Sequence, residues 1–196
     1  MAQMRLVRNP LVWLHRIRHR KGYGVHSPFA FQFITGVVYE QTPFYAYSKL
    51  SLLHPWWVRM LGLYPMQCHR LLFRLANYAH PDAICIVAET HCERQYIAAA
   101  VPTAESVDPK EIITSQPRNA LVFVGFPAQG RALTLSQQMP SDGMLILEGI
   151  HNSNTSLKLW RKIQSDPHTG ITFDLHTYGI CFYDHSRTKQ HYVVNF

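Results

Sequence analysis

The feature that most constrains the fold is a set of three short apolar runs in the second half of the chain. They are AICIVA at 83–88, ALVFVG at 120–125, and MLIL within GMLILEG at 143–149. A strand with one face in water alternates apolar and polar residues, whereas a strand covered on both faces is apolar throughout. The runs are also shorter than a typical buried helix. The sequence therefore predicts strands in the middle of a layered protein.

Helical patterns separate these strands. They cover residues 93–100, 109–113, 129–139 and 154–165, and weaker strand patterns cover 104–107, 171–177, 179–184 and 189–196. The patterns at 171–177 and 179–184 are typical of a hairpin that turns at Tyr178-Gly179. Strands that alternate with helices indicate an open, mostly parallel α/β sheet. We expect about six strands, with an antiparallel hairpin at the end of the chain.

The first 81 residues have a helical pattern. Predicted helices cover residues 28–39, 48–62 and 66–79. Ser27 and Pro28 form a helix-start signal, and Pro81 ends the last of the three helices. A chain of 196 residues has the length of one domain. We expect a helical cap at 1–81 and an α/β core at 82–196, within a single compact domain.

Positive charge is concentrated in the cap. The formal net charge is +7, with +9 in residues 1–81 and −2 in residues 82–196. The most basic segment contains Arg16, Arg18, Arg20 and Lys21, at the end of an amphipathic helix predicted at 9–19. Such a segment is suited to a nucleic acid or another polyanion. A solvated basic helix without a partner explains the same charges equally well.

The cysteines and the hydropathy pattern indicate the cellular compartment of the protein. Cys68, Cys85, Cys92 and Cys181 form no CxxC pair, which excludes zinc-ribbon and thioredoxin-type motifs and predicts no metal site. Reduced thiols are typical of the cytoplasm. No apolar stretch reaches the roughly 18 residues of a membrane helix, and the arginines near the start are unlike a signal peptide. We expect a cytoplasmic protein without a membrane span.

Five segments, in chain order, carry a family resemblance. They are RKGYGVHSPFAFQFI at 20–34, FYAY at 44–47, SDGMLILEGIH at 141–151, DLHTYGICFY at 174–183 and KQHYVVNF at 189–196. Together they resemble a family of class I S-adenosylmethionine-dependent methyltransferases, found mostly in Bacteroidetes, whose members read RKGFGVHSPFVF near the N-terminus. The resemblance spans about residues 16–196. It implies a Rossmann-like class I methyltransferase fold and S-adenosylmethionine as the cofactor, and it does not specify the methyl acceptor.

The cofactor loop departs from the family pattern. In the family, the first strand ends in an acidic residue and a glycine-rich turn, close to E-I-G-T-S-x-G. The acidic position is Ile86 here, and the two glycine positions are Ala88 and about Cys92. The family's cofactor contacts map onto Ala88, Glu89, Thr90 and Cys92. Because glycine allows positive φ and close approach to a ligand, we expect these larger side chains to fill part of the pocket.

The connection from 102 to 119 is short. The family has two strand–helix units in this place, so we expect one of its usual seven strands to be missing on the side of 104–107. Asp108 or Glu105 corresponds to the acidic residue that holds the cofactor ribose in the family. A turn acid before Pro109 is the alternative interpretation of Asp108.

Glu148 and His151 follow a predicted central strand. Ligands of open α/β sheets bind at this edge, outside the carboxyl ends of the strands. Glu148 is therefore a candidate general base or substrate-orienting residue, with His151 as its partner. A helix-capping acid and a surface histidine are the alternative.

A candidate lid lies in Gly22–Ser27. Two glycines flank Tyr23, and His26 and Ser27 lead into a helix start, an arrangement that suits a loop closing over a pocket. A cap that docks the N-terminal segment on the core is the alternative.

Three functions compete. The first is a methyltransferase with a diverged cofactor loop, and the second is a catalytically inactive methyltransferase-fold binding or regulatory protein. The third is a nucleic-acid-binding protein that uses residues 5–21. The changed loop glycines favour the second, whereas the retained GVHSPF and EGIH segments favour the first. Binding of S-adenosylmethionine is the measurement that separates them.

Overall fold

The computed structural model describes residue 14 and residues 24–61, 63–88, 91–115 and 117–196. Contacts divide the chain into two compact units. The first consists of the described residues within Met1–Tyr78, Thr90–Pro102 and Val194–Phe196. The second consists of those within Ala79–Glu89 and Thr103–Val193.

The first unit is helical. Its α-helices are α1 (Pro28–Phe33), α2 (Tyr47–Ser51), α3 (Trp56–Leu61), α4 (Tyr64–Ala79) and α5 (His91–Ala100). Helix α1 continues into a π-helical turn at Ile34–Val38. It begins where the sequence predicts, because Ser27 Oγ accepts a hydrogen bond from Ala30 N at 3.3 Å and Pro28 occupies the first turn.

The prediction of one helix at 48–62 is wrong. Helix α2 ends at Ser51 and α3 begins at Trp56. Pro55 lies between them, and its ring disfavours a helical conformation at the preceding residue. Pro55 directly precedes α3 and completes its first turn, since the Pro55 carbonyl accepts hydrogen bonds from Val58 N and Arg59 N at 3.0 and 3.2 Å.

An aromatic cluster forms part of the core of the first unit. The ring centroids of Phe44, Tyr47 and Phe73 lie 5.3, 5.1 and 5.3 Å apart in their three pairings. Leu50 and Tyr96 belong to the same buried cluster, and Tyr96 is fully buried. Because Tyr96 lies on α5, this helix packs with α2 and α4, although it follows the first strand in the sequence.

The described residues of the second unit form a seven-stranded sheet in the order β2-β1-β3-β4-β6-β5-β7. The strands are β1 (Ala83–Val87), β2 (Glu105–Ser106), β3 (Ala120–Val124), β4 (Met144–Glu148), β5 (Thr172–Asp174), β6 (Tyr178–Phe182) and β7 (His191–Val193). Pairing is parallel except that β6 runs antiparallel to β4 and β5. Every residue of β3 is buried, which confirms a strand covered on both faces. The protein is α/β with a mostly parallel sheet, consistent with a Rossmann-like fold.

The expected number of about six strands is too low. The sheet has seven strands, and the strand pattern at 189–196 forms β7, a three-residue edge strand that pairs in parallel with β5. The expected short arm is confirmed, since β2 is the outermost strand beyond β1 and has two residues. Within the described part of 102–119, β2 is followed by α6 (Pro109–Ser115). The rest of this connection is too short for another strand and helix.

The hairpin turn lies earlier than the predicted Tyr178-Gly179. The turn is at 175–177, and Tyr178-Gly179 begins β6. Asp174 stabilises it, because its Oδ1 accepts a hydrogen bond from His176 N at 2.9 Å. The glycine has a packing role instead: a Cβ atom at Gly179 would lie 2.6 Å from Cζ3 of Trp160.

The remaining helices connect the strands. They are a 3-10 helix at Phe126–Arg131, α7 (Ala132–Ser136) and α8 (Asn154–Ser165). The region predicted as one helix at 129–139 therefore contains the end of the 3-10 helix and the α-helix α7. Ser153 caps α8, because its Oγ accepts a hydrogen bond from Ser156 N at 3.0 Å. Trp160 of this helix lies in the core of the second unit. Among the described helices, none combines the length and the apolar composition needed to cross a bilayer.

Candidate functional site

Several candidate residues follow β1, β3 and β4 at one edge of the sheet. Strands β2 and β3 lie on opposite sides of β1, so the order of the strands changes direction there. In open α/β sheets, ligands bind at such a point, outside the carboxyl ends of the strands. We call this edge the rim; it contains Ala88, Gly125, Phe126, Glu148 and Gly149.

Backbone atoms fill the rim between β1 and β3. Gly125 N donates a hydrogen bond to Val87 O at 2.8 Å. A Cβ atom on Gly125 would lie 1.9 Å from Ala88 O and 2.9 Å from the Ala88 carbonyl carbon. The two chain segments are therefore in direct contact, which continues the parallel pairing of β1 with β3. The same contact explains why the residue at 125 is glycine.

Ala88 retains the backbone geometry of a glycine. Its φ is +53°, in the left-handed region. Glycine adopts this region without a steric penalty, whereas alanine does not. The left-handed region costs an L-residue about 1–2 kcal/mol. The turn after β1 is therefore strained.

We expect Ala88→Gly to stabilise the protein by about 0.5–1 kcal/mol, because relief of the left-handed strain exceeds the additional chain entropy of glycine. The urea midpoint of unfolding, followed by circular dichroism, measures the change. Ala128→Gly is the matched control, because Ala128 lies in the 3-10 helix and not among the positive-φ residues. It should lower stability by up to about 1 kcal/mol. Equal losses from both substitutions would contradict a strained turn at Ala88.

Glu148 holds the 3-10 helix that follows β3. Its carboxylate Oε2 accepts a hydrogen bond from Phe126 N at 3.0 Å, and its carbonyl accepts one from Gln129 Nε2 at 2.6 Å. Phe126 is the first residue of the helix, so the carboxylate bonds an N–H that has no partner within the helix. The sequence offered capping of the following helical turn as the alternative to a general base, whereas the carboxylate bonds a helix that precedes it in the chain.

His151 pairs with Asp174. Its Nε2 lies 2.7 Å from Asp174 Oδ2, and the His151 ring stacks on His176 with centroids 4.9 Å apart. The side chain of His151 is 22% exposed and that of Asp174 is 9% exposed. A carboxylate that orients a partly exposed imidazole can support proton transfer. The sequence indicated His151 but not Asp174, because Asp174 lies inside the strand pattern at 171–177 and β6 separates its strand, β5, from β4.

The remaining described cofactor candidates are Cys92 and Asp108. Cys92 lies in the first turn of α5, in the first unit, with Sγ 4.0 Å from Leu53 O. Burial, and then the charge of Glu93, raise the pKa of the Cys92 thiol. Asp108 is exposed before α6, where its N–H donates to Glu111 Oε2 at 2.7 Å as in a capping box. The rim therefore contains Ala88 and not Cys92 or Asp108.

Two lid candidates lie at the start of α1. Ser27 is the helix cap, and His26 is exposed beside it. The other candidates lie outside the described residues; they are Tyr23, Glu89, Thr90, Arg16, Arg18, Arg20 and Lys21.

A buried polar cluster in the first unit was not predicted. His54 Nε2 lies 3.4 Å from His69 Nδ1, and His69 Nε2 lies 3.6 Å from Glu93 Oε1. The Tyr96 ring packs against both histidines, and burial raises its pKa to about 12. Burial, followed by the charges of His69 and Arg70, lowers the pKa of His54 to about 4. These residues are distant in the sequence, so no local pattern indicates the cluster.

Neither a metal site nor a similar known protein indicates a function for the chain. The described His, Cys, Asp and Glu side chains form no group of three that could hold a metal ion. No protein-family model matches the chain, and a search of curated proteins finds no significant match.

Proposed function

We propose that this protein is a binding protein on a Rossmann-like, methyltransferase-type scaffold, and that it does not transfer methyl groups from S-adenosylmethionine. One observation carries the proposal: the backbone after β1 contacts the backbone after β3, with Ala88 O only 1.9 Å from where a Cβ of residue 125 would lie. We infer that this close contact leaves no room at the turn after β1 for the backbone approach that the cofactor requires.

Three described candidate residues support this proposal, because their settings do not favour S-adenosylmethionine. A cofactor at the turn after β1 would require close approach to the backbone, and the strained residue Ala88 carries a Cβ there. The Glu148 carboxylate is bonded to Phe126 N. Asp108, the candidate for the cofactor ribose, lies at the capping box of α6. The Glu148 carboxylate therefore has a structural role, and the Asp108 backbone belongs to a helix cap.

Methyl transfer is the second candidate function, and the pairing of His151 with Asp174 favours it. A held imidazole can accept a proton from a substrate, and the pair follows β4 and β5 at the carboxyl edge of the sheet. Asp174 also has a structural role, since its second oxygen bonds His176 N in the hairpin turn. The role of Asp174 in the hairpin turn therefore explains its position without a catalytic function.

A polyanion is a proposed partner on sequence charge alone. The segment with Arg16, Arg18, Arg20 and Lys21 has no acidic residue before Glu40. Such a segment suits a nucleic acid or another polyanion. It complements a binding function and does not depend on the rim.

Calorimetry of the whole protein with S-adenosylmethionine and S-adenosylhomocysteine tests the proposal. We expect no saturable heat at up to about 1 mM ligand, which corresponds to a binding free energy weaker than about −4 kcal/mol. Ala88→Gly should bind no better, because the backbone of residue 88 still contacts Gly125. A dissociation constant near 10 µM, about −7 kcal/mol, would overturn the proposal and favour methyl transfer.

A further inference from the structure

The first unit contains a large open pocket of about 860 Å³. Residues 38–48, helix α4 and the last residue of the sequence, Phe196, contribute to its lining. Its volume is within the roughly 300–1,000 Å³ of small-molecule sites. The pocket contains neither His151 nor any residue of the rim.

Two arginines form one wall of this pocket. Arg70 and Arg74 lie four residues apart on α4, so their side chains emerge from the same face of the helix. Arg74 is 8% exposed, and its guanidinium donates hydrogen bonds to Val37 O and Val38 O at 2.7 and 2.9 Å. These bonds fix the position of the charge.

The guanidinium of Arg70 is held against an aromatic ring. Its Cζ lies 4.9 Å from the centroid of Tyr47. Its Nε is buried and has no hydrogen-bond partner among the described residues. The contact with the ring therefore fixes the position of this second positive charge in the pocket lining.

The charge of the lining is unbalanced. Among the described residues that line the pocket, Glu40 is the one with a carboxylate side chain. Its Oε1 accepts a hydrogen bond from Thr42 N at 2.6 Å. Like charges four residues apart on a helix repel each other, so an anion between Arg70 and Arg74 would remove an unfavourable interaction.

Aromatic rings form much of the remaining wall. Tyr39, Phe44, Tyr45 and Phe196 line the pocket together with Tyr47. Tyr45 is 83% exposed, so its ring is accessible to a ligand. Aromatic faces stack on flat unsaturated rings of many kinds. The lining therefore combines a basic wall with stacking surfaces.

We propose that this pocket binds a mononucleotide-type ligand, that is, a phosphate ester that carries a flat aromatic ring. The phosphate lies against Arg70 and Arg74, because a guanidinium matches phosphate oxygens with two parallel hydrogen bonds. The ring stacks on the aromatic wall at Tyr45. This inference goes beyond the proposed function, because it concerns a site within the first unit and holds whether or not the rim binds a cofactor.

Calorimetry with adenosine monophosphate, adenosine and inorganic phosphate on the whole protein tests the proposal. We expect adenosine monophosphate to bind at least tenfold more tightly than either fragment. Arg70→Gln should weaken its binding about tenfold or more, whereas Arg59→Gln, on α3 and outside the lining, should leave it unchanged. Inorganic phosphate that binds as tightly as the nucleotide would overturn the proposal, as would an unchanged dissociation constant for Arg70→Gln.

A second variant keeps the test decisive if Arg70→Gln does not fold. Tyr45→Ala removes an exposed ring, so folding should tolerate it. It should weaken binding of adenosine monophosphate about fivefold and leave binding of inorganic phosphate unchanged. Equal binding of the nucleotide to Tyr45→Ala and the unsubstituted protein would contradict stacking. S-adenosylmethionine binding that persists in Arg70→Gln would count against the proposed function and not against this pocket.

Discussion

Gly125→Ala is expected to destabilise the protein by about 3 kcal/mol. The new Cβ would lie 1.9 Å from Ala88 O, 2.9 Å from Ala88 C and 3.3 Å from Val87 O. All three are backbone atoms, so no side chain can rotate away to make room. The segments after β1 and β3 would have to separate, which would also break the 2.8 Å hydrogen bond from Gly125 N to Val87 O.

Urea unfolding followed by circular dichroism measures this loss. Gly130→Ala is the matched control, because no heavy atom lies within 4 Å of its Cβ position and its φ is not positive. We expect Gly130→Ala to change stability by less than about 1 kcal/mol. If Gly125→Ala unfolded at the same urea concentration as Gly130→Ala, the rim would be open, and the structural argument against S-adenosylmethionine would fail.

Mild acid is expected to destabilise the protein by about 2–3 kcal/mol through His54. This histidine is 7% exposed, and burial together with His69 and Arg70 lowers its pKa to about 4. The unfolded chain binds the proton with the ordinary histidine pKa of about 6.5. Between these two values the unfolded state carries more protons, so stability falls as the pH falls. The contribution is fully present above pH 6.5 and is lost progressively down to about pH 4.

Chemical unfolding at a series of pH values between 4 and 7 tests this dependence. His54→Phe keeps the ring contacts with His69 and Tyr96 but removes the titrating nitrogen, so its stability should depend less steeply on pH. His185→Gln, at an exposed histidine of the second unit, is the control and should retain the slope of the unsubstituted protein. The same slope in His54→Phe and in His185→Gln would show that other groups cause the acid sensitivity.

Local sequence predicted the strands and several element boundaries. The apolar runs at 83–88, 120–125 and 143–149 became β1, β3 and β4, because a strand covered on both faces cannot include many polar residues. Ser27 caps α1 as its sequence indicates, because the bond to Ala30 N joins residues three apart. Such features depend on neighbours along the chain, which a sequence displays directly.

Predictions from local sequence were wrong where two sequence features favoured different structures. Residues 48–62 have a helical pattern, but Pro55 divides them into two helices. Tyr178-Gly179 resembled a turn, yet Asp174 sets the turn at 175–177. The glycine is required instead by the ring of Trp160, which is 2.6 Å from its Cβ position and comes from a different element.

The sequence by itself determined the α/β class, the strand positions, the short arm at β2 and the position of Glu148 and His151 at the carboxyl end of β4. The tertiary structure decided which groups meet: Ala88 with Gly125, His151 with Asp174, and Arg70 with Tyr47. Hydropathy along the chain reports whether a residue is buried, but it does not report its partner. Closure of a crevice or pairing of an acid with a histidine depends on distances of a few ångströms between residues far apart in the chain, and these distances exist only once the elements have packed.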